Sequence, residues 1–390
     1  MKSVPTLGVQ PAVLLWARQT VGLTVDAVAH RLKRTPDEIE SWEDGSGSTT
    51  YSQLEKLAYE LYRRPLALFF LPQPPEEDLP QQEFRSLPES DLRTLLPDTR
   101  LRIRSAHAYQ LALNELFSGK NPVRDAIWDR VRLTADGPVI DQAEQVRTEL
   151  GITVDEQVSW NNSAMALKEW RRAVEHCGIY VFKWAFKQKD ISGLSLQDSE
   201  FPIIYLYNSN AKTRQAFSLF HELAHILLNT NGVCKDSLRQ TEDLPQPIKK
   251  IEQFCNKIAA EVLVPTSDFV RVTRGLPDRL DSAGDQIFED LAGRYSVSRE
   301  VILRRFVDSG RLDRSHYEGL VRRWVGETAH GDGGNYYATV NAYLSPAFAL
   351  EVVRQRAQQR ISEEHAARLL GVKATSLVEL EQRIRDGAVA

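Results

Sequence analysis

The sequence predicts a multidomain fold: a small all-α domain with a helix-turn-helix outline, then an α+β domain, then a helical C-terminal region. Three observations lead there. At 390 residues the chain exceeds one ordinary core, and the usual domain size makes about two or three domains the expectation. Residues 11–72 repeat short helical periods between turn signals, whereas β-branched and aromatic runs, GIYVFKWAF and FPIIYLYN, occur in the middle of the chain. Between these regions the composition changes to PQPPEEDLPQQEFRSLPESDLRTLLPD, where prolines forbid a continuous helix and acids solvate the backbone.

In order, Thr24 precedes the apolar-periodic segment VDAVAHRLK, and Thr35-Pro36 opens DEIESWEDG with a cap residue and a first-turn proline. Gly45 ends that helix. A further helix from about Tyr51 to Arg64 carries Leu54, Leu57, Ala58 and Leu61 at helical spacing. These elements make a first domain over 1–72, followed by a linker over 73–100. Helices are expected over Leu101–Phe117, Ala164–His176, Thr213–Leu228 and Pro247–Val264, and with the two strands they form an α+β domain over 101–275. Beyond it, AGDQIFEDLAGRYSVSREVILRRF reads as two helices joined through Ser298, within a helix-turn-helix-like segment over 276–328. The glycine-rich GETAHGDGGN then precedes a C-terminal helical region over 335–390, where Ser362 caps EEHAARLLG and another helix starts near Thr375. No repeat of fixed period is present.

Hydrophobic content of 42% with 26% charged residues is that of a globular protein, and no apolar run approaches a bilayer span. The opening MKSVPTLGVQPAVLLWARQ lacks the features of a secretory signal. Cys177, Cys234 and Cys255 are too few and scattered for a disulfide framework, so a reducing cytoplasm and no membrane partner are expected. A formal charge of -4 gives no general attraction to nucleic acid, so any DNA contact must come from a local patch.

The segment FSLFHELAHILL puts His221 and His225 four residues apart on an apolar helix, so both imidazoles point to one side. Glu222 follows the first histidine directly, beside a metal held by the pair, where it suits a general base taking a proton from the attacking water. Left without partners among Phe217, Leu219, Phe220, Leu223, Ile226 and Leu227, the histidines would each cost roughly a few kcal/mol to bury. A partner is therefore implied. A catalytic zinc takes three protein ligands, and the third is sought on IKKIEQFCNKIAAEVLVP. There Glu252 and Asn256 share a face, while Glu261 falls on the opposite side, so only one glutamate can face the site.

These motifs resemble the ImmA/IrrE family of metallopeptidases. The resemblance lies in Asn208 at a strand, Arg214 with Phe217, HELAH, and EQFCNKIAAEVLVP, with ISGLSL similar to the family's Gly-x-Ser segment, and it covers roughly residues 145–310. It implies a zincin-like metallopeptidase domain in which Glu252 is the third zinc ligand beside His221 and His225, with Glu222 catalytic. The N-terminal LTVDAVAHRLKRTPDEIESWEDG, with Trp42, Glu43 and Gly45, is similar to Xre-type helix-turn-helix domains, and QQEFRSLP and LLGVKATS look like the subgroup in which the two are fused.

One departure concerns DNA. The recognition helix carries Asp37, Glu38, Glu40, Glu43 and Asp44 and no Lys or Arg, whereas phosphate and guanine contacts depend on those cations. Arg31, Lys33 and Arg34 remain as candidate backbone contacts. Direct DNA reading and a protein-binding or vestigial role both stand open for this helix. His30, His107, His176, His316, His330 and His365 are isolated and read as surface or packed residues, RQRAQQR as a solvated helix face, Cys255 as core, and Cys234 as a loop residue near the site. The function expected is a zinc endopeptidase with transcription-regulatory work, cleaving a specific protein such as a repressor, with operator DNA as a further partner and a homodimer as one assembly. The competing class is a non-catalytic, metal-stabilised regulator, for example the antitoxin of a toxin pair.

Overall fold

The computed structural model describes residues 5–76, 95–185, 187–188, 190–235, 245–281, 284–325 and 342–389. The expected linker lies largely outside them, as do Phe84 and Arg85 of QQEFRSLP and the glycine-rich break. The chain forms two compact units, Met1–Ala108 with Phe186–Gln188, and Tyr109–Ala185 with Lys189–Ala390.

In the first unit, α1 (Pro11–Val21), α2 (Val25–Leu32), α3 (Pro36–Asp44) and α4 (Tyr51–Glu55, continued by a π-helical turn Lys56–Leu61) enclose Val13, Ala17, Val28, Ile39, Trp42, Leu54 and Leu57. Their starts follow from side-chain oxygens that satisfy first-turn amides: Thr24 accepts from the Ala27 N–H, Thr35 from that of Glu38, and Thr50 with Gln53 forms a reciprocal capping box. Of the five acids in α3, Glu43 is turned inward. Both its oxygens accept from Arg18 at 2.7 Å, which pairs α1 with α3 and raises the guanidinium pKa. Arg31, Lys33 and Arg34 are exposed, and Arg34 lies 3.7 Å from Glu38.

The second unit is built on a four-stranded sheet in the order β1 (Tyr180–Trp184), β3 (Ile203–Tyr207), β2 (Ile191–Leu196), β4 (Gly232–Lys235). β1 runs parallel to β3, and the other neighbours are antiparallel. ISGLSL is thus a strand in its own right, and Cys234 belongs to β4, which corrects its expected place in a loop. Val181, Ile204 and Leu206 turn one sheet face to α9 (Ser163–His176) and α10 (Lys212–Leu227), while on the other Phe182 stacks on Tyr109 at 4.4 Å and meets Phe348 at 5.6 Å. These last two residues come from α5 (Pro97–Leu116), within which the unit boundary falls, and from α16 (Pro346–Ala357).

α11 (Gln246–Leu263) packs against α10 and against α7 (Val139–Leu150), with α6 (Ile127–Arg130) and α8 (Val154–Ser159) beside them. Its last carbonyls, left without intrahelical donors, are taken up by buried side chains: Arg147 donates to Val262 O at 2.6 Å and Gln157 to Leu263 O at 2.8 Å. α12 (Thr266–Val272), α13 (Asp285–Tyr295), α14 (Arg299–Asp308) and α15 (Arg314–Val325) follow, with Ser298 capping α14. Residues 285–325, read from sequence as a segment apart, share one core with 127–264 through Phe288, Ile302, Phe306 and Trp324. The C-terminal helices end with α17 (Glu363–Leu369), capped by Ser362, and α18 (Leu377–Val389).

Candidate metal centre

α10 is apolar nearly all round, because it lies between the sheet and α11, and its residues 215–227 are all buried. The two histidines on it are 0–1% exposed, so their polar atoms need partners inside the protein. Their Nε2 atoms stand 3.1 Å apart. Glu252 reaches across from α11, with Oε2 3.2 Å from His221 Nε2 and Oε1 3.2 Å from His225 Nε2. Glu261, on the opposite side of α11, accepts from the Thr266 N–H and Oγ1 and pairs with Arg305 at 2.7 Å. It holds the α11–α12 junction.

The ring tautomers follow from what lies behind them. Thr230 Oγ1 donates its single proton to His225 O, so toward His225 Nδ1, 3.2 Å away, it can only accept. His225 therefore carries its proton on Nδ1. Asn256 Oδ1 sits 3.0 Å from His221 Nδ1 and sets the same tautomer there. Two nitrogen lone pairs and a carboxylate thus converge on one point. Among the described residues Glu252 Oε1 has no hydrogen-bond partner, although it is buried. Lone pairs at such separations repel unless a cation lies among them, and two imidazoles with one carboxylate suit zinc with a coordination position left over. The residues fit a metal.

Glu222 lies beside this group and is fully buried. Burial raises its pKa, opposed by the Ser195 hydroxyl, which donates to Oε2 at 2.7 Å. Two glycines bring the strands this close. A Cβ on Gly193 of β2 would stand 3.2 Å from Glu222 Cγ, and one on Gly232 of β4 would lie 2.6 Å from His225 Cδ2 and 2.9 Å from Glu222 Oε2. Gly232→Ala is accordingly expected to displace the His225 ring and weaken metal binding by about 10-fold or more, on the scale of other second-layer changes, in competition with a chromogenic chelator. Unchanged affinity would show that the ring can yield without loss.

The sequence had singled out His221, Glu222, His225 and Glu252, and the fold brings all four together. Arg31, Lys33 and Arg34 belong to the other unit. Thr230, Gly232 and Ser195, which touch the candidate ligands and Glu222, were not singled out: Ser195 was visible as part of the Gly-x-Ser segment, but Thr230 and Gly232 carry no signal until β4 is seen to pair with β2.

No helix among the described residues is long and apolar enough to cross a membrane. A search of curated proteins finds no match. Residues 174–307, the span from the end of α9 to α14 that holds every residue of this centre, match the family model Peptidase_M78, the IrrE N-terminal-like domain, and the segment is in that respect similar to a metallopeptidase.

Proposed function

We propose that the protein is a zinc-dependent endopeptidase of narrow substrate range that cleaves a specific partner protein, a transcriptional repressor, and that residues 1–72 form an Xre-type helix-turn-helix domain that helps locate that partner or its operator DNA. The supporting observation is the convergence of His221, His225 and Glu252 on one point beside the buried Glu222. On this reading the second unit has a zincin-like arrangement, with His221 and Glu222 on the helix that also bears His225. Zinc, when bound, supplies Lewis acidity to the scissile carbonyl and makes water nucleophilic near neutral pH.

The chain's own residues do the rest. Asn256 and Thr230 keep both imidazoles in the ligating tautomer. Glu222 takes the proton of the attacking water and delivers it to the leaving amine. Burial keeps bulk water from competing for these groups. Arg31, Lys33 and Arg34 remain the cations available for a DNA backbone, while the acids of α3 that stay on the surface favour a protein partner over direct reading of bases.

Metal analysis and cleavage test the proposal together. Purified protein is expected to hold about one zinc per chain, and Glu252→Ala to lose most of it. Glu261→Ala should keep the metal while lowering stability, since it breaks the tie to Thr266 and Arg305. Co-expression with a candidate repressor protein should yield two fragments with the wild type and none with Glu252→Ala. Full zinc in Glu252→Ala with loss in Glu261→Ala would reverse the ligand assignment, and an intact repressor in both strains would remove the peptidase.

A further inference from the structure

Ser195 occupies a position that the proposed chemistry does not yet use. It is fully buried in β2, opposite Gly232 of β4 on one side and Ile204 of β3 on the other. Its hydroxyl accepts from the Gly232 N–H at 3.1 Å and donates to Glu222 Oε2 at 2.7 Å. The Gly232 amide can only donate, and an ionised carboxylate can only accept, so with Glu222 ionised the single Ser195 proton goes to Glu222. The Glu222 side chain meets Gly193 on one flank and Gly232 on the other, close enough that a methyl group on either would press on it.

A carboxylate in such a place has three χ angles, and rotation about the last would carry its oxygens away from the histidines. What opposes the rotation is a charge-assisted hydrogen bond from a strand that is itself locked on both sides. We propose that Ser195 is a positioning residue for Glu222, orienting the carboxylate that accepts and returns the proton, and that the strand pair β2–β4 is built close to α10 for this purpose. The proposal rests on the peptidase reading, in which Glu222 is the base. It assigns no role to Ser195 in holding metal, which is left to His221, His225 and Glu252.

The experiment must read the orientation of Glu222 without depending on a known substrate. Acetohydroxamate is a suitable probe, because it binds a zinc peptidase site by handing its hydroxyl proton to the general base. Its Kd is measured on cobalt-substituted full-length protein by visible absorption, for wild type, Ser195→Ala, Ser195→Cys, Glu222→Gln and the Ser195→Ala/Glu222→Gln double variant, with metal content and melting temperature recorded for each.

Ser195→Ala is expected to raise Kd about 10-fold at unchanged metal content. Glu222→Gln should raise it at least as much, and the double variant no further, because the two residues act as one unit. Ser195→Cys, a similar volume with a weak donor, should fall between wild type and alanine and keeps the test usable if the alanine variant does not fold. A purely structural serine would lower the melting temperature but leave Kd alone. Should Glu222→Gln weaken the probe while both Ser195 variants bind it like wild type, the positioning role is wrong and the peptidase reading survives. If Glu222→Gln itself binds normally, the reading of Glu222 as base fails, and the Ser195 role falls with it.

Discussion

Replacing Glu222 by glutamine should abolish cleavage while leaving the molecule otherwise almost unchanged. Glutamine keeps the shape of the side chain and can still accept from Ser195, so the β2–α10 contact survives. The ligands are on other residues, so zinc content should stay near the wild-type level. What disappears is the proton acceptor, and loss of a positioned general base lowers turnover by roughly 10²- to 10⁴-fold. His221→Ala should behave differently: it deletes a ligand in a fully packed helix, so metal and melting temperature should fall together. The two variants, compared in a complementation assay with zinc measured on each, separate an enzyme from a binding module. If Glu222→Gln restores the cellular response in full, the metal is there for structure, and the regulator or antitoxin reading takes over.

The second large effect is expected far from the metal ligands in sequence, at Lys183 of β1. This lysine is 8% exposed. Burial, then Arg171 and Lys212, pull its pKa down to about 7, with Glu175 acting in the opposite direction. The ordinary value is 10.5. Between these two values the unfolded chain binds more protons at this position than the folded one does, so stability rises with pH across that window. Below the window the native state carries the whole cost of a buried ammonium. Lys183→Met removes that cost, and at pH 7 the variant should be more stable by about 4 kcal/mol, at about 1.36 kcal/mol for each unit of depression. The gain should shrink as pH rises and vanish by about pH 10.5. Urea unfolding of both proteins from pH 6 to pH 10 measures it, and a methionine variant no more stable than wild type at pH 7 would show that the ammonium is compensated in the native state.

How much of this was legible beforehand depends on the range over which each feature is determined. Two helices of the first unit announced themselves through Thr24 and Thr35, because a cap is a bond between residues three apart and is written locally. The inward turn of Glu43 was not legible, since its partner Arg18 is 25 residues away. Counted by sequence, Glu43 was one more of the five acids on this helix, whereas in the fold it ties α3 to α1.

In the second unit the same divide runs through the candidate metal centre. The stripe of His221 and His225 follows from helical periodicity alone, and the opposition of Glu252 and Glu261 on α11 follows from the same geometry applied once more. Periodicity could say that only one of those glutamates faces the site. Which helix face meets α10 is a matter of packing, and it is the tertiary structure that turns Glu252 to the histidines and Glu261 to Thr266 and Arg305. The strands β2 and β4 escaped a reading by pattern because β2 is buried on both faces and carries Gly and Ser in place of a clean alternation, and β4 is only four residues long. Their pairing brings Ser195 and Gly232 to Glu222 and His225. The sequence alone thus determined the residues whose chemistry is intrinsic, two imidazoles and two carboxylates at helical spacing. Only the fold decided what stands behind and around them, because the tautomer of a ring and the direction of a carboxylate are set by neighbours that the chain brings in from a distance.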